Sequence, residues 1–197
     1  MSRTLRRLCV FCGSSTGGNP AWRAAAAELG ALLAKRGIGL VFGGGSIGLM
    51  GVIADAVLDA GGEVIGVIPS ALEDKELAHR GCTELHVVST MHERKALMAD
   101  FAKGFIAMPG GFGTLDEIFE MLTWGQLGYH TRPCGFLNVS KFYDNLFMFL
   151  DHCVAARFVT HVHRDMVIAD SDPACLLDTM QAFEPPDQAK WLDRFDL

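Results

Sequence analysis

Short apolar runs alternate with longer helical patterns along almost the whole sequence. The first pair is an apolar run at residues 8–12 and an Ala-rich segment that starts at Pro20, after the candidate N-cap Asn19. Such alternation is typical of parallel sheets, because two parallel strands must be joined by a crossover, which is usually a helix. We therefore predict an α/β fold with helices on both faces of a parallel sheet.

The predicted elements follow one another without a linker long enough to divide the chain. Thr90 and Glu93 have capping-box spacing, which marks the start of a helix at residues 91–101. A helix at residues 72–79 has the weakest pattern. Strands are predicted at residues 8–12, 38–42, 63–68, 84–88, 104–108 and 135–139, and the other helices at residues 20–36, from the turn at 43–45 to about 61, after 114, and at 143–156 and 173–183.

Length and charge narrow the class of protein. A chain of 197 residues fits one domain, so residues 1–197 are predicted to form one unit that ends in a helical segment at 173–197. The net charge of −6 and the scattered basic residues argue against a nucleic-acid partner. No segment approaches the roughly 20 apolar residues that span a membrane, and the N-terminus lacks a signal-peptide pattern. We expect a cytoplasmic protein that binds no membrane.

Six cysteines are present, but a chain with a core of this size needs no disulfide framework, and Cys9 and Cys12 are predicted to be structural thiols. Cys9 and Cys12 form a CxxC, but residues three apart in a strand point to opposite faces of the sheet. No second CxxC completes a zinc site, and we predict no metal centre.

A first glycine-rich turn follows the second predicted strand. Gly43, Gly45 and Gly48 have G-x-G-x-x-G spacing, which lets backbone amides approach a phosphate at a helix N-terminus. A dinucleotide site would also need an acidic residue after the next strand, and residues 67–70 contain none. The alternative is tight packing of strand against helix without a ligand.

A second glycine-rich turn, residues 110–114, follows the fifth predicted strand. Thr114 adds a hydroxyl to the backbone amides of this turn, and Glu117 stands three residues later. Thr114 and Glu117 could instead form a capping box. Ligands of open α/β sheets bind at the carboxyl ends of the strands, so we expect both glycine turns to face one crevice. Arg94 could also reach that crevice, to pair with a phosphate or with Glu117, or it could lie in a solvated first helical turn.

Together these segments resemble the LOG family, the cytokinin riboside 5′-monophosphate phosphoribohydrolases once labelled lysine decarboxylases. The resemblance covers residues 8 to 155. It is carried by Cys12-Gly13-Ser14-Ser15, Gly43-Gly44-Gly45 with Gly48-Leu49-Met50-Gly51, Met91-His92-x-Arg94-Lys95, Pro109-Gly110-Gly111-x-Gly113-Thr114-x-x-Glu117 and Thr123-Trp124-x-Gln126-Leu127-Gly128.

The resemblance implies a Rossmann-like, doubly wound fold, a homodimer, no cofactor, and hydrolysis of a nucleoside 5′-monophosphate to free base and ribose 5-phosphate. Arg94 and Glu117 match the catalytic positions. The substrate-binding positions are Ser14, Gly44, Gly45, Glu76, Lys95, Gly110, Gly111, Phe112, Gly113 and Thr114. Lys103-Gly104, Asp116 and Ala156-Arg157 depart from common family patterns, which affects the expected base preference but neither catalytic position.

In the mechanism we expect, Glu117 stabilises an oxocarbenium-like sugar and orients water, while the amides of residues 111–114 hold the phosphate. A non-catalytic nucleotide sensor or carrier would use the same two turns and is the main alternative. A dinucleotide oxidoreductase is disfavoured by the missing acid, and a decarboxylase by the absence of a pyridoxal-phosphate motif. An apolar N6 substituent changes binding by only a few kcal/mol, so the preferred base stays open.

Overall fold

The computed structural model describes residues 4–73 and 77–186. The described residues contain one parallel sheet. Its strands are β1 (Arg7–Phe11), β2 (Gly39–Phe42), β3 (Val64–Pro69), β4 (Glu84–Val88), β5 (Phe105–Ala107), β6 (Cys134–Leu137) and β7 (Val167–Asp170).

Helices connect these strands and cover both faces of the sheet. They are α1 (Pro20–Lys35), α2 (Gly48–Asp59), α3 (Ser70–Glu73), α4 (Met91–Phe101), α5 (Phe112–Gln126), α6 (Asp144–Ala155), α7 (His161–Arg164) and α8 (Pro173–Ala182), with a 3₁₀ turn at Val139–Lys141.

The strand order β4-β3-β2-β1-β5-β6-β7 reverses once. The first four strands step outward from β1, and β5 then returns to pair with the other side of β1. Cys9 is therefore in register with Val41 of β2 and with Phe105 of β5. The predicted doubly wound parallel sheet is confirmed, and its switch point lies between β1 and β5, where such folds bind ligands.

Two apolar layers hold the helices onto the sheet. One contains α1, α2 and α8, with Ile53 fully buried; the other contains α4 and α5, with Met98 almost fully buried. Cys12 belongs to the first layer and Cys9 to the second, as their spacing predicted. All six cysteines are free thiols.

The predicted helix at residues 72–79 is present at Leu72 and Glu73 and wrong at residues 77–79. Helix α3 ends at Glu73, and Leu77 has a φ of 48°, which an α-helix does not accommodate. Residues 77–79 instead bond to the first glycine turn, so a tertiary contact overrides the weak helical pattern. Helix α7 and strand β7 were not predicted.

The predicted C-terminal helical segment and the predicted lack of a membrane span can each be compared with the described residues. Within the predicted segment 173–197, α8 accounts for Pro173–Ala182, and residues 187–197 lie outside the described part. Among the described helices, none has the length and apolar character needed to cross a membrane.

Candidate active site

A cavity of about 290 Å³ opens at the carboxyl end of the sheet, beside the switch point. It is lined by the loops after β1 and β5, by α3, and by the first turns of α2, α4 and α5. The lining residues are Cys12, Gly13, Ser14, Met50, Leu72, Met91, Arg94, Gly111, Phe112, Gly113, Thr114, Asp116 and Glu117.

Arg94 enters this cavity from the first turns of α4. The helix starts at the predicted cap: the hydroxyl of the N-cap Thr90 accepts from the Glu93 amide over 3.1 Å, and the Glu93 carboxylate accepts from the amide of Ser89, one residue before the N-cap, over 2.8 Å. Arg94 is only 5% exposed, so the alternative of a solvated position is wrong. Its Nη2 donates to the carbonyl of Gly43 over 2.8 Å, and its Nε donates to the carbonyl of Val67 over 3.2 Å.

Glu117 and Thr114 lie inside α5 rather than at its cap. The N-cap is Gly111, which has no side chain to cap the helix, so the capping-box alternative is wrong. Thr114 is 3% exposed and Glu117 is 9% exposed. Thr114 packs against Gly110, where a Cβ would lie 2.1 Å from the threonine hydroxyl oxygen. Both residues therefore form part of the cavity wall.

Positive groups in the cavity suit a substrate with a negatively charged group. The first turn of an α-helix leaves backbone N–H groups without intrahelical partners, and the helix dipole adds partial positive charge there. The first turn of α5 presents such groups at Phe112, Gly113 and Thr114. Arg94 adds a positive charge, and Glu117 adds a buried carboxylate. Burial, followed by the charge of Glu117, raises the pKa of Cys12 well above its usual range, so this thiol stays protonated.

Lys95 joins α4 to α5. Its Nζ lies 3.1 Å from Asp116 Oδ2 and 3.2 Å from Glu120 Oε2, and the side chain is 11% exposed. Burial alone lowers the pKa of Lys95, but the hydrogen bonds to Asp116 and Glu120 outweigh burial and raise it. Lys95 is not among the residues that line the cavity, and its contact with a nucleotide stays a prediction.

The first glycine turn lies behind the cavity wall. Gly44 and Gly45 do not line the cavity; the turn reaches it through the hydrogen bond between Gly43 and Arg94. Gly48 has a φ of 65°, and a Cβ there would lie 2.2 Å from the Ser14 carbonyl carbon. This turn therefore supports tight packing and the placement of Arg94. The sequence had suggested that both glycine turns face one cavity, but this turn does not line it.

The remaining predicted residues are divided between two neighbouring spaces. Ser14 and Gly111 line both the cavity and an adjoining one, also of about 290 Å³, which includes Gly110 and the rings of Trp22 and Phe142. Glu76 lies outside the described residues. Within residues 4–73 and 77–186 no group of three or more His, Cys, Asp or Glu side chains could hold a metal ion.

Sequence reasoning missed two residues that support the site. Tyr143 is 2% exposed, and its hydroxyl donates to the carbonyl of Met108, just before the second glycine turn, over 2.6 Å. His79 is 8% exposed and lies beside the first glycine turn. Tyr143 belongs to none of the sequence motifs. His79 was assigned to the weakly predicted helix at residues 72–79, so its contact with the first glycine turn was not expected.

Curated relatives match nearly the whole chain. Cytokinin riboside 5′-monophosphate phosphoribohydrolase LOG of Oryza sativa subsp. japonica is 48% identical over 180 residues, covering 91% of this chain and 74% of the relative. LOG2 of Arabidopsis thaliana, with the same description, is 46% identical over 180 residues, covering 91% of this chain and 84% of the relative.

Solved structures share the fold at lower identity. The molybdenum cofactor binding protein of Rippkaea orientalis has a TM-score of 0.69 at 21% identity, covering 92% of this chain and 98% of that one. The molybdenum cofactor carrier protein of Chlamydomonas reinhardtii has a TM-score of 0.67 at 22% identity, covering 90% and 98%.

A family model also matches. It is described as "Possible lysine decarboxylase" and covers residues 50–180, which include α4, the second glycine turn and α5. With this match and relatives at 46–48% identity over most of both chains, the chain belongs to the LOG family.

Proposed function

We propose that this protein hydrolyses the N-glycosidic bond of adenosine 5′-monophosphate or of an N6-modified form, releasing the free base and ribose 5-phosphate. The observation that carries the proposal is the burial of Arg94 and Glu117 in one cavity, beside the N-terminus of α5. The relatives' names describe the same class of reaction.

The phosphate binds at the N-terminus of α5. Gly111 and Gly113 carry no side chain, and a Cβ at either position would have no heavy atom within 4 Å, so the space next to their amides is open. Backbone amides at such a terminus are a general anion site. Thr114 supplies a hydroxyl, and Ser14 faces the same cavity from the loop after β1.

Glu117 acts on the sugar. Cleavage of an N-glycosidic bond passes through an oxocarbenium-like state, which a nearby carboxylate stabilises. Water adds its oxygen to C1′ as the bond from C1′ to the base nitrogen breaks. Glu117 takes up the water proton and later returns it to solvent, and the leaving base nitrogen takes one proton from solvent. The step is a hydrolysis and needs no oxidant or reductant.

Arg94 balances the charges. A substrate phosphate and Glu117 place two anions in a small, partly closed cavity, where their repulsion is stronger than in water. The positively charged guanidinium of Arg94 lies in the same wall. Binding energy at the phosphate then orients the ribose for attack, so the non-reacting end of the substrate contributes to the rate.

Further contacts are part of the proposal. Glu76 and Lys95 are proposed as substrate contacts from the family resemblance. Leu72, Met91 and Phe112 form an apolar part of the cavity wall that suits a purine or its N6 substituent.

We also propose a homodimer, because two large apolar side chains of α6 are exposed: Met148 is 68% exposed and Phe149 is 59% exposed. Light scattering should give twice the 21.4 kDa of one chain, and a mass of one chain would contradict the dimer.

The test is chromatography of free base released from AMP and from N6-isopentenyladenosine monophosphate. Wild-type protein should release base from at least one of them, and the rate ratio gives the preference. Glu117→Gln should bind the nucleotide but slow release by at least about 100-fold, and Arg94→Ala should slow it similarly.

Either failure is informative. Unchanged release by Glu117→Gln would contradict the role of this carboxylate. No release from either nucleotide, by folded protein that binds them, would contradict hydrolysis and support the carrier alternative.

A further inference from the structure

Residues 77–79 lie along the first glycine turn. The amide of His79 donates to the carbonyl of Gly44 over 2.8 Å, and the amide of Ser46 donates to the carbonyl of Leu77 over 3.0 Å. Ala78 and Gly45 form an antiparallel bridge between these two hydrogen bonds. The turn is thus held by backbone contacts with a segment that no motif of the sequence had marked.

The His79 side chain fixes that segment. Its Nε2 lies 2.9 Å from Oδ1 of Asp55 on α2. Its ring meets the ring of Phe42 edge-on, with centroids 6.2 Å apart at 80°. Because Phe42 directly precedes the turn and α2 follows it, the imidazole connects both flanks of the turn to residues 77–79.

The hydrogen-bonding roles within this pair are defined by the chemistry. A carboxylate oxygen only accepts hydrogen bonds, so His79 makes this contact as the tautomer with hydrogen on Nε2. Nδ1 of His79 is buried, and no partner for it is found among the described residues. A glutamine amide at position 79 could therefore replace the bond to Asp55 without losing a second one.

The turn that His79 supports also holds Arg94. The carbonyl of Gly43 accepts from Nη2 of Arg94, and the carbonyl of Val67 accepts from Nε. Gly44 has a φ of 77°, and a Cβ there would lie 3.3 Å from the Val67 carbonyl carbon. The turn and the end of β3 are therefore packed together, and the direction of the guanidinium depends on where the turn lies.

We infer that His79 is a positioning residue for the reaction: with Asp55 it holds the Gly43–Gly44 turn, and through this turn it aims the guanidinium of Arg94 into the cavity. The inference rests on the proposed function, because it assigns His79 to the same hydrolysis.

A double-mutant cycle separates positioning from general stability. His79→Ala and Arg94→Lys are made singly and together, and kcat/KM is measured with the nucleotide that the wild type hydrolyses faster. Lysine lacks the planar fork and the Nε donor, so it cannot bond to both carbonyls as arginine does. His79→Ala should lower kcat/KM about tenfold in the wild type but less than about twofold in the Arg94→Lys background. Equal losses in both backgrounds would overturn the inference.

Conservative variants support the same test. His79→Gln should recover at least half of the wild-type kcat/KM, and Asp55→Ala should reproduce part of the loss. Asp55 has a side chain 67% exposed, so its replacement keeps the test available if His79→Ala does not fold.

The matched control is His86→Ala on β4. This change removes another histidine–carboxylate pair, in which His86 Nε2 lies 3.1 Å from Glu84 Oε2, and it should leave kcat/KM unchanged.

One readout does not depend on turnover. With ¹⁵N-labelled arginine, the Nε–H signal that disappears in Arg94→Lys belongs to Arg94, and its exchange with solvent can be followed. His79→Ala should speed this exchange about tenfold or more. An unchanged exchange rate would overturn the inference even in an active enzyme. A failure of base release in the wild type would instead contradict the proposed function, while the exchange measurement would still decide the role of His79.

Discussion

The guanidinium of Arg94 lies directly against Gly43, whose carbonyl oxygen accepts from Nη2 over 2.8 Å. A Cβ at position 43 would lie 2.0 Å from the same nitrogen. Gly43 is not among the glycines with a positive φ, so the absence of a side chain matters more here than an unusual backbone angle. The first glycine turn thus makes room for a buried arginine.

Gly43→Ala should therefore displace Arg94 and leave the chain folded. We expect kcat/KM to fall about 100-fold, and the free energy of unfolding to fall by about 1–3 kcal/mol from overpacking. Steady-state kinetics and urea denaturation measure the two effects. The matched control is Gly18→Ala, where a Cβ meets nothing within 4 Å and φ is not positive. Wild-type kinetics in Gly43→Ala would contradict this account of Arg94.

Lys95→Met should weaken nucleotide binding. Loss of the lysine ammonium leaves Asp116 and Glu120 without their cation beside the N-terminus of α5, where we propose that the substrate phosphate binds. We expect KM to rise about three- to tenfold with a smaller change in kcat. Adding Asp116→Asn removes one of those negative charges and should recover part of the loss. If the double variant is no better than Lys95→Met, the lysine acts by direct contact with the nucleotide.

Phe112→Ala should affect binding and spare stability. The ring is 94% exposed at the rim of the cavity, so it buries almost nothing in the free protein and can cover a bound base. KM should rise about tenfold, as expected for the loss of an aromatic contact, while the thermal midpoint stays unchanged. Tyr129→Ala, which removes another largely exposed ring, is the control. An unaltered KM would show that the base lies elsewhere.

Tyr143→Phe should destabilise the second glycine turn. Its buried hydroxyl donates to the carbonyl of Met108, and burial raises the pKa of this phenol far above its usual range, so it remains a donor. We expect the free energy of unfolding to fall by about 1–2 kcal/mol. Tyr129→Phe makes the same chemical change at a residue 76% exposed and should have almost no effect. Equal effects in urea denaturation would contradict the proposed role.

Glu63 should make the stability of the fold depend on pH. Arg7 holds it with two hydrogen bonds of 2.7 Å, and this contact lowers the pKa of Glu63 below its ordinary value of 4.5. A lowered pKa contributes stability that is present above pH 4.5 and is lost as the pH falls through the folded-state value.

Glu63→Gln should therefore be less stable than the wild type at pH 7, and the difference should shrink as the pH falls from about 5 to 3. Urea denaturation across this range measures it. Glu28→Gln, at an exposed position of α1, is the control. A difference that does not change with pH would contradict the ionic origin of the effect.

Local patterns predicted most of the elements, because their causes are local. The N-cap at Asn19 and the capping box at Thr90 depend on residues two or three positions away, and both are present in the structure. The CxxC residues point to opposite faces because a strand alternates its side chains. The predicted helix is wrong at residues 77–79 for the opposite reason: Leu77 and His79 bond to a turn about 30 positions earlier in the chain.

The sequence by itself determined the α/β class and the family, and it marked Arg94 and Glu117 as catalytic candidates, because periodicity, caps and motifs are properties of neighbouring residues. Only the tertiary structure decided what these side chains touch. It placed Arg94 against Gly43 and Val67, paired Lys95 with Asp116, excluded a capping role for Thr114, and brought His79 to the first glycine turn. Such contacts join positions far apart in the chain, and they form only when the sheet order and the packed layers bring those positions together.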